Sequence, residues 1–391
     1  MSTATTSQRI ESIDALRGLI IVLMVADHAR DYAVGFPAVT DPMTLDSTAP
    51  LIFWLRCLAH FCAPVFTLLA GVSAGFQSVR MERDALAKHL AVRGLVLIAL
   101  EFTIVHLSWT FSLVWPRFYM QVIWALGLSM LFLAATLRLP VIARVILGVA
   151  VAAGHHLVEP FSPQEPLWLR WVWAILHDRQ VLALPFGYEV RTSYPVLPML
   201  GLILLGDALG RWFMRATPEL RTRVLARAGA MLILVFIALR WTNVYGDPTP
   251  AEQDVAWGRR VMSMLNVTKY PMSLSFQLMT VGPALLLLAW WQRGVPKLFA
   301  PFVLFGKVPM FLYIAHLYLL HIGAVLGALL MGYAWADFDF RARITGLPAG
   351  VGFPVEWTIP VTVAVVLALY PAARWYAAQR ASGRYRWMRY V

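Results

Sequence analysis

Long apolar runs alternate with short polar segments along the whole chain of 391 residues. The runs lack the strict two-residue alternation of half-buried strands. Several approach the roughly 20 residues with which a helix, rising about 1.5 Å per residue, crosses a hydrocarbon core of about 30 Å. The pattern predicts spans over about 15–36, 51–79, 91–110, 118–137, 140–157, 194–213, 228–244, 270–292, 301–331 and 355–376. Pro64 falls inside the second, and Pro309 is a point where the ninth breaks or tilts. Gly71, Ser73, Ala74 and Gly75 allow close packing of the second helix. In the long loop 158–193, PLWLRWVWAILHDRQ mixes Trp with charge, as an interfacial helix does. The expected fold is an all-α integral membrane bundle of about ten transmembrane helices. It forms one domain over 12–377, with a disordered segment 1–11 before it and a basic cytosolic tail 378–391 after it.

Composition agrees with this. Hydrophobic residues make up 60% and charged residues 14%, against about 45–50% and about 25% in soluble domains. The net charge of +12 would suggest nucleic acid in a soluble protein. Here the Lys and Arg residues cluster after the second, fourth, sixth, eighth and tenth spans, as in Arg80–Arg93 and Arg374–Arg389. That places these loops and both termini in the cytosol. The loops 37–50, 158–193, 245–269 and 335–354 then lie outside. Arg259–Arg260 and Arg341 with Arg343 run against the bias. No cleavage site follows the first apolar run, so that helix is expected to stay. Cys57 and Cys62 read as inert core residues. No CxxC, HExxH, Walker or GxGxxG pattern occurs, and no metal is expected.

The chemistry concentrates in Ser12–Asp31, SIDALRGLIIVLMVADHARD. The helix begins with Asp14 and Arg17, continues uncharged from Gly18 to Ala26, and then meets Asp27, His28, Arg30 and Asp31. Asp14 and His28 are about 21 Å apart along a helix. Ionisable groups at such depth are costly and usually functional. His28 lies about 12 Å from the outer end of its span, and His60 about 13 Å from the outer start of the next. The two are thus expected at similar depth. One reading makes His28 a base oriented by Asp27, with His60 a second acid or base. The other makes Asp27, Arg30 and Asp31 a structural ion-pair network with His28 packed beside it. Arg17 pairs with Asp14 or meets a cofactor phosphate. Glu101, inside the third span, pairs with His106 or Arg93 or faces the site. His316 lines a cavity or packs in the core. Lys269, with Tyr270 at the outer mouth of the eighth span, is an interfacial anchor or an acceptor contact.

The opening R-x-x-S-x-D-A-x-R-G (Arg9, Ser12, Asp14, Ala15, Arg17, Gly18) with LIIVLMVADHARD resembles the heparan-α-glucosaminide N-acetyltransferase-like family of transmembrane acyltransferases, in its bacterial type. So do HFCAPVFTLLAG at 60–71, KYPMSLSFQLMTVGPALLLL at 269–288, FGKVPMFLYIAHLYLLH at 305–321 and the aromatic-basic tail at 374–391. The resemblance implies a bundle of ten or eleven helices. It also implies acetyl transfer from cytosolic acetyl-coenzyme A to a glucosamine amine on the other face, through a membrane-embedded histidine. The chain departs from the lysosomal member: the loop PAVTDPMTLDSTAP has no histidine. His28 stands where that member has Asn, and His60 where it has Asp.

The sequence-based expectation is therefore an acyltransferase of the bacterial inner membrane. It moves an acetyl group from acetyl-coenzyme A to an amine or hydroxyl of a sugar or glycan. His28 is the base or acyl carrier, Asp27 its orienter and His60 a second acid/base. Arg30, Asp31, Glu101, Lys269 and His316 shape the acceptor site, and Arg17 and Arg93 face the coenzyme's phosphates. Expected partners are membrane lipids and the glycan acceptor, with a homodimer as an option and no nucleic acid. A permease or flippase using buried charges and a non-catalytic scaffold are the rivals.

Overall fold

The computed structural model describes residues 10–33, 43, 45, 50–341 and 343–390. Residues 1–9 of the expected disordered segment and most of the loop 37–50 lie outside the described residues, and Glu11, expected in that segment, already opens a helix. The chain is mostly helical. Among the described residues, eight helices are long and apolar enough to cross a membrane: 50–77, 83–110, 141–158, 197–215, 218–242, 274–291, 309–330 and 355–381. Helix α1 (Glu11–Ala33), with its charges, and α6 (Val122–Thr136), which is short, pack among them.

Two spans are broken where proline dictates. The second divides into α2 (Pro50–Ala59) and α3 (Cys62–Gln77), separated at His60–Phe61. Pro64 cannot accommodate the carbonyl four residues back, which is that of His60. The other divides into α13 (Ala300–Lys307) and α14 (Pro309–Leu330) at Val308, which has φ −135° and ψ 47°. A residue before proline is pushed out of the helical region.

Small residues set the tightest crossings. A Cβ on Gly71 would stand 2.2 Å from the carbonyl oxygen of Ile203, and one on Gly206 2.2 Å from that of Leu68. So α3 and α9 (Leu197–Arg215) approach backbone to backbone. A Cβ on Gly306 would fall 1.8 Å from the Asp14 carbonyl oxygen. The end of α13 is thereby locked against the start of α1, bringing Lys307 next to Asp14 and Arg17.

The remaining helices are α4 (Arg83–Leu100), α5 (His106–Thr110), α7 (Val141–Gly154), α8 (Leu167–Leu176), α10 (Pro218–Thr242), α11 (Trp257–Leu265), α12 (Leu274–Trp291) and α15 (Thr358–Ala381). Helix α8 is the expected Trp-rich helix. A π-helical turn, Glu101–Val105, joins α4 to α5.

The bundle is not purely helical. Strands β1 (Arg117–Met120), β2 (Val181–Ala183) and β3 (Glu189–Thr192) form a small sheet in the order β1-β3-β2. β3 pairs parallel with β1 and antiparallel with β2. Phe118, Tyr119 and Val190 give these short segments strand-forming side chains. The amides of Ser193 and Tyr194 donate to the carbonyl of Met120, so the sheet fixes the starts of α6 and α9 together. The segment 243–273 is ordered by buried Arg240. Its guanidinium donates to the carbonyls of Thr249, Ser263, Met264 and Asn266 at 2.6–3.1 Å. Asp247 accepts from Ser273 Oγ at 2.6 Å and from Thr268 N at 3.0 Å. Between these two anchors sits Lys269.

After α15, the basic tail turns back on the body. Met388 is buried, and Tyr390 lies 5.3 Å from the ring of His89.

Candidate active site

A cavity of about 340 Å³ follows α1 from Ile13 to His28, about 22 Å of helix. At one end it is lined by Arg80, Arg93, Lys307 and Arg380, with Arg17 beside them. This basic end brings together the turn after α3 and helices α4, α13 and α15. The middle is apolar, with Ile21, Met24, Phe66 and Leu126 among its walls. The opposite end reaches Asp27, His28, Gln121, Tyr194 and Lys269.

The basic end gathers five cations. Arg93 has no ion pair or hydrogen bond among the described residues, and its Nε is buried. Arg17 donates to Asp14 Oδ1 at 3.0 Å and to Ser73 Oγ at 2.5 Å, which ties α1 to α3. Arg380 donates to the Lys307 carbonyl at 2.9 Å. Such a cluster favours an anion with several acceptor oxygens, as a phosphate group offers. Arg17 and Arg93 both belong to this basic end. Arg80, Lys307 and Arg380 join them. In the sequence these three look like topology-setting charges, and only the fold brings them to one mouth.

At the far end, His28 is half-buried and faces the cavity. Its Nδ1 is 2.7 Å from Nε2 of His316. Its ring meets Trp109 edge-on at 5.1 Å. His316 is fully buried, and its Nδ1 is 2.8 Å from the Leu312 carbonyl oxygen. So His316 stands behind His28 and not in the cavity wall, which removes it from the expected acceptor contacts.

Asp27 does not orient His28. Its carboxylate accepts from Arg56 at 2.9 and 3.2 Å and forms a 3.0 Å ion pair with Arg30. Arg30 also meets Asp31 at 2.6 Å. Buried charges need this pairing, and it is the ion-pair network expected as the structural reading. Only Asp27 of this network lines the cavity; Arg30 and Asp31 do not. Arg56 escaped the sequence reading because its partner is on another helix.

His60 is 1% exposed, lies at the α2–α3 break and packs on Phe276 at 4.9 Å between rings. Its Nδ1 finds no hydrogen-bond partner among the described residues, and it is absent from the cavity wall. The two-histidine site therefore pairs His28 with His316, not with His60.

Glu101 is also redirected. Its Oε2 accepts the amides of Ile123 at 3.1 Å and Trp124 at 2.9 Å. These are orphan donors in the first turn of α6, so Glu101 caps that helix from outside. Gln121, at the N-cap position, makes no side-chain cap and faces the cavity instead.

Lys269 lines the cavity and forms no ion pair among the described residues; its ammonium lies 5.3 Å from the ring of Tyr270. The hydroxyls of Tyr270 and Tyr194 are 3.4 Å apart. Burial pushes the Tyr270 phenol up, but Lys269, Arg56, the Tyr194 hydrogen bond and Arg179 together bring it down to about 8. Arg179 stacks on the same ring at 4.5 Å.

Compared with known families, residues 9–245 match the model described as heparan-alpha-glucosaminide N-acetyltransferase, catalytic. That is more than half of the chain. The chain belongs to this family. No curated protein matches it by sequence. Membership, with the eight apolar helices, makes it an integral, multi-pass membrane protein of the acetyltransferase class. The matched part supplies Arg17, His28, Arg93 and Glu101. Lys269, Lys307 and Arg380 come from the remainder and complete the same cavity, and His316, also from the remainder, stands behind His28.

Proposed function

We propose that this protein transfers an acetyl group from acetyl-coenzyme A, taken from the cytosol at the basic end, to an amine or hydroxyl of a sugar at the opposite end. The supporting observation is the single cavity that joins the Arg80–Arg93–Arg380 mouth to His28. In this reading ten helices span the membrane, with both termini on the cytosolic side. The coenzyme's phosphates lie against Arg93, Arg17 and Arg380. Its thioester arm follows the apolar middle toward His28.

The reaction needs a lone pair at the end of that path. In direct transfer, the acceptor nitrogen or oxygen attacks the thioester carbonyl while Nε2 of His28 takes its proton. The carbon–sulfur bond breaks, and the thiolate picks up a proton and leaves as coenzyme A. In a relay, Nε2 attacks the carbonyl first and holds the acetyl group until the acceptor displaces it. Both routes use the same atom. In this reading Lys269 and Gln121, both in the cavity wall, hold the acceptor's polar groups.

The test is coenzyme A release by the purified protein in liposomes, with acetyl-coenzyme A and D-glucosamine. Wild type is expected to release thiol, and His28→Ala to be slower by about 10³-fold. A folded His28→Ala variant with the wild-type rate would overturn the reading.

A permease is the second reading, and one observation favours it. Two helices are broken, at His60–Phe61 and at Val308, as in many transporters. Solute flux through liposomes without any acyl donor would support it over acetyl transfer.

A further inference from the structure

The hydrogens of the His28–His316 pair follow from its neighbours. A carbonyl oxygen only accepts, so Nδ1 of His316, facing the Leu312 carbonyl at 2.8 Å, carries a hydrogen. A neutral imidazole has one N–H, which makes Nε2 of His316 an acceptor. The atom opposite it, 2.7 Å away, is Nδ1 of His28. That nitrogen must donate. Nε2 of His28 is then left with its lone pair, and it has no hydrogen-bond partner among the described residues.

The ring geometry fits this assignment. The two imidazoles are within 4° of parallel with centroids 5.0 Å apart. Combined with a 2.7 Å N···N contact, this is a coplanar pair joined edge to edge, not two stacked faces. Trp109 meets the His28 ring edge-on, and Tyr313 meets that of His316 at 69°. The pair is therefore held in one plane. Asp27, the carboxylate next to His28 in sequence, is occupied by Arg56 and Arg30. Among the described residues, no acid competes for Nδ1.

We propose that His316 is a positioning residue: it fixes His28 as the Nδ1–H tautomer and aims the Nε2 lone pair into the cavity. His316 is fully buried, so it reaches the reacting atoms only through His28. The tautomer of a histidine is set by the bond its other nitrogen makes, and a base with the hydrogen on the wrong nitrogen does not work. The catalytic part of this inference rests on the acetyl-transfer reading; the tautomer part does not.

Two variants separate positioning from mere packing. In His316→Gln the amide oxygen still accepts from His28 Nδ1 and the amide NH₂ still donates to Leu312. In His316→Leu the acceptor is gone while bulk is kept. Coenzyme A release with acetyl-coenzyme A and D-glucosamine is expected to fall about 10²-fold in kcat for Leu. KM for acetyl-coenzyme A should stay within about twofold, and Gln should keep most of the rate. In parallel, nitrogen-15 spectra of histidine-labelled, full-length protein in lipid read the His28 tautomer directly, assigned by the signal lost in His28→Gln. The expected result is Nδ1–H in wild type and His316→Gln, and Nε2–H in His316→Leu. A wild-type His28 carrying its hydrogen on Nε2 overturns the proposal, whether or not the Leu variant folds. So does a folded Leu variant with unchanged kcat, or equal loss in Leu and Gln. If wild type releases no coenzyme A, the acetyl-transfer reading fails, and the spectra still decide the tautomer.

Discussion

His28 and His60 look alike in the chain and differ in the fold. Counted along the sequence, each is expected about 12–13 Å from the outer end of its span. His28 has a hydrogen-bonded partner behind it and open space before it. His60 has Phe276 against its ring and an Nδ1 with no partner among the described residues. Depth follows from counting residues; facing depends on rotation about the helix axis. Near His60 that rotation is reset by the break before Pro64. The imidazole at the break is turned into the protein, while α1 stays continuous and carries His28 along the cavity.

The sharpest way to break this contrast is to truncate the two side chains in turn. His28→Ala should lower kcat for acetyl transfer by about 10³-fold. His60→Leu should leave kcat within a few-fold of wild type. Rates of coenzyme A release from the two purified variants check both statements. Equal loss in the two would restore His60 to the chemistry.

A smaller effect is expected at the other end of the cavity. If His28 is the reacting group, the donor must reach it from the basic mouth, where Arg93 lacks a carboxylate partner among the described residues. Arg93→Gln should weaken coenzyme A binding about tenfold, or about 1.4 kcal/mol. Calorimetric titration of coenzyme A into wild type and variant measures this. Since Arg93 does not touch the thioester end, kcat at saturation should hardly change. A fall in kcat with unchanged affinity would remove Arg93 from the phosphate site.

Much of the frame was legible in the sequence. Apolar runs mark spans because a helix needs about 20 residues to cross hydrocarbon. Pro309 marks its break, and the Gly71–Gly75 pair its close crossing. The Asp27–Arg30–Asp31 network was legible too, since positions three or four apart on a helix are neighbours. What remained hidden depends on contacts between distant segments. His316 is 288 residues from His28, and no local spacing links them. Arg56 meets Asp27 only because α1 and α2 face each other with those side chains inward. Glu101 looked like a site residue because its role as a cap needs the start of α6 beside it. The strands escaped because each is only three or four residues long, and β1 meets β3 only across intervening helices.

His60→Leu carries a further, weaker consequence for stability. A buried nitrogen without a partner costs about 1–3 kcal/mol. Leu fills similar space against Phe276 and removes that nitrogen. The variant should therefore unfold at the same temperature as wild type or slightly above it, by thermal denaturation in detergent. A clear drop would mean that His60 makes a bond through Nε2 that the fold needs, and the contrast with His28 would narrow.

The smallest expected effect lies at the Lys269 end of the cavity, where Tyr270 shares Lys269 and Arg56 with the neighbourhood of both histidines. Its phenol is lowered from 10.0 to about 8 despite its burial, because these cations, Arg179 and Tyr194 favour the phenolate. Burial and the nearby Tyr270 charge raise Tyr194, so it keeps its proton and donates to the phenolate. A folded-state value below the unfolded one means that ionisation favours folding. The contribution is absent below about pH 8, grows between about pH 8 and 10, and is complete above that. Tyr270→Phe should remove one phenolate step near pH 8 from the near-ultraviolet absorbance titration, and with it the extra stability at alkaline pH. Below pH 7 the variant should match wild type in stability and rate. If the step near pH 8 survives in Tyr270→Phe, another group is titrating there. The cations around Lys269 would then be neutralised by something other than this phenolate, and the mouth would be less positive than the arrangement of Lys269, Arg56 and Arg179 requires.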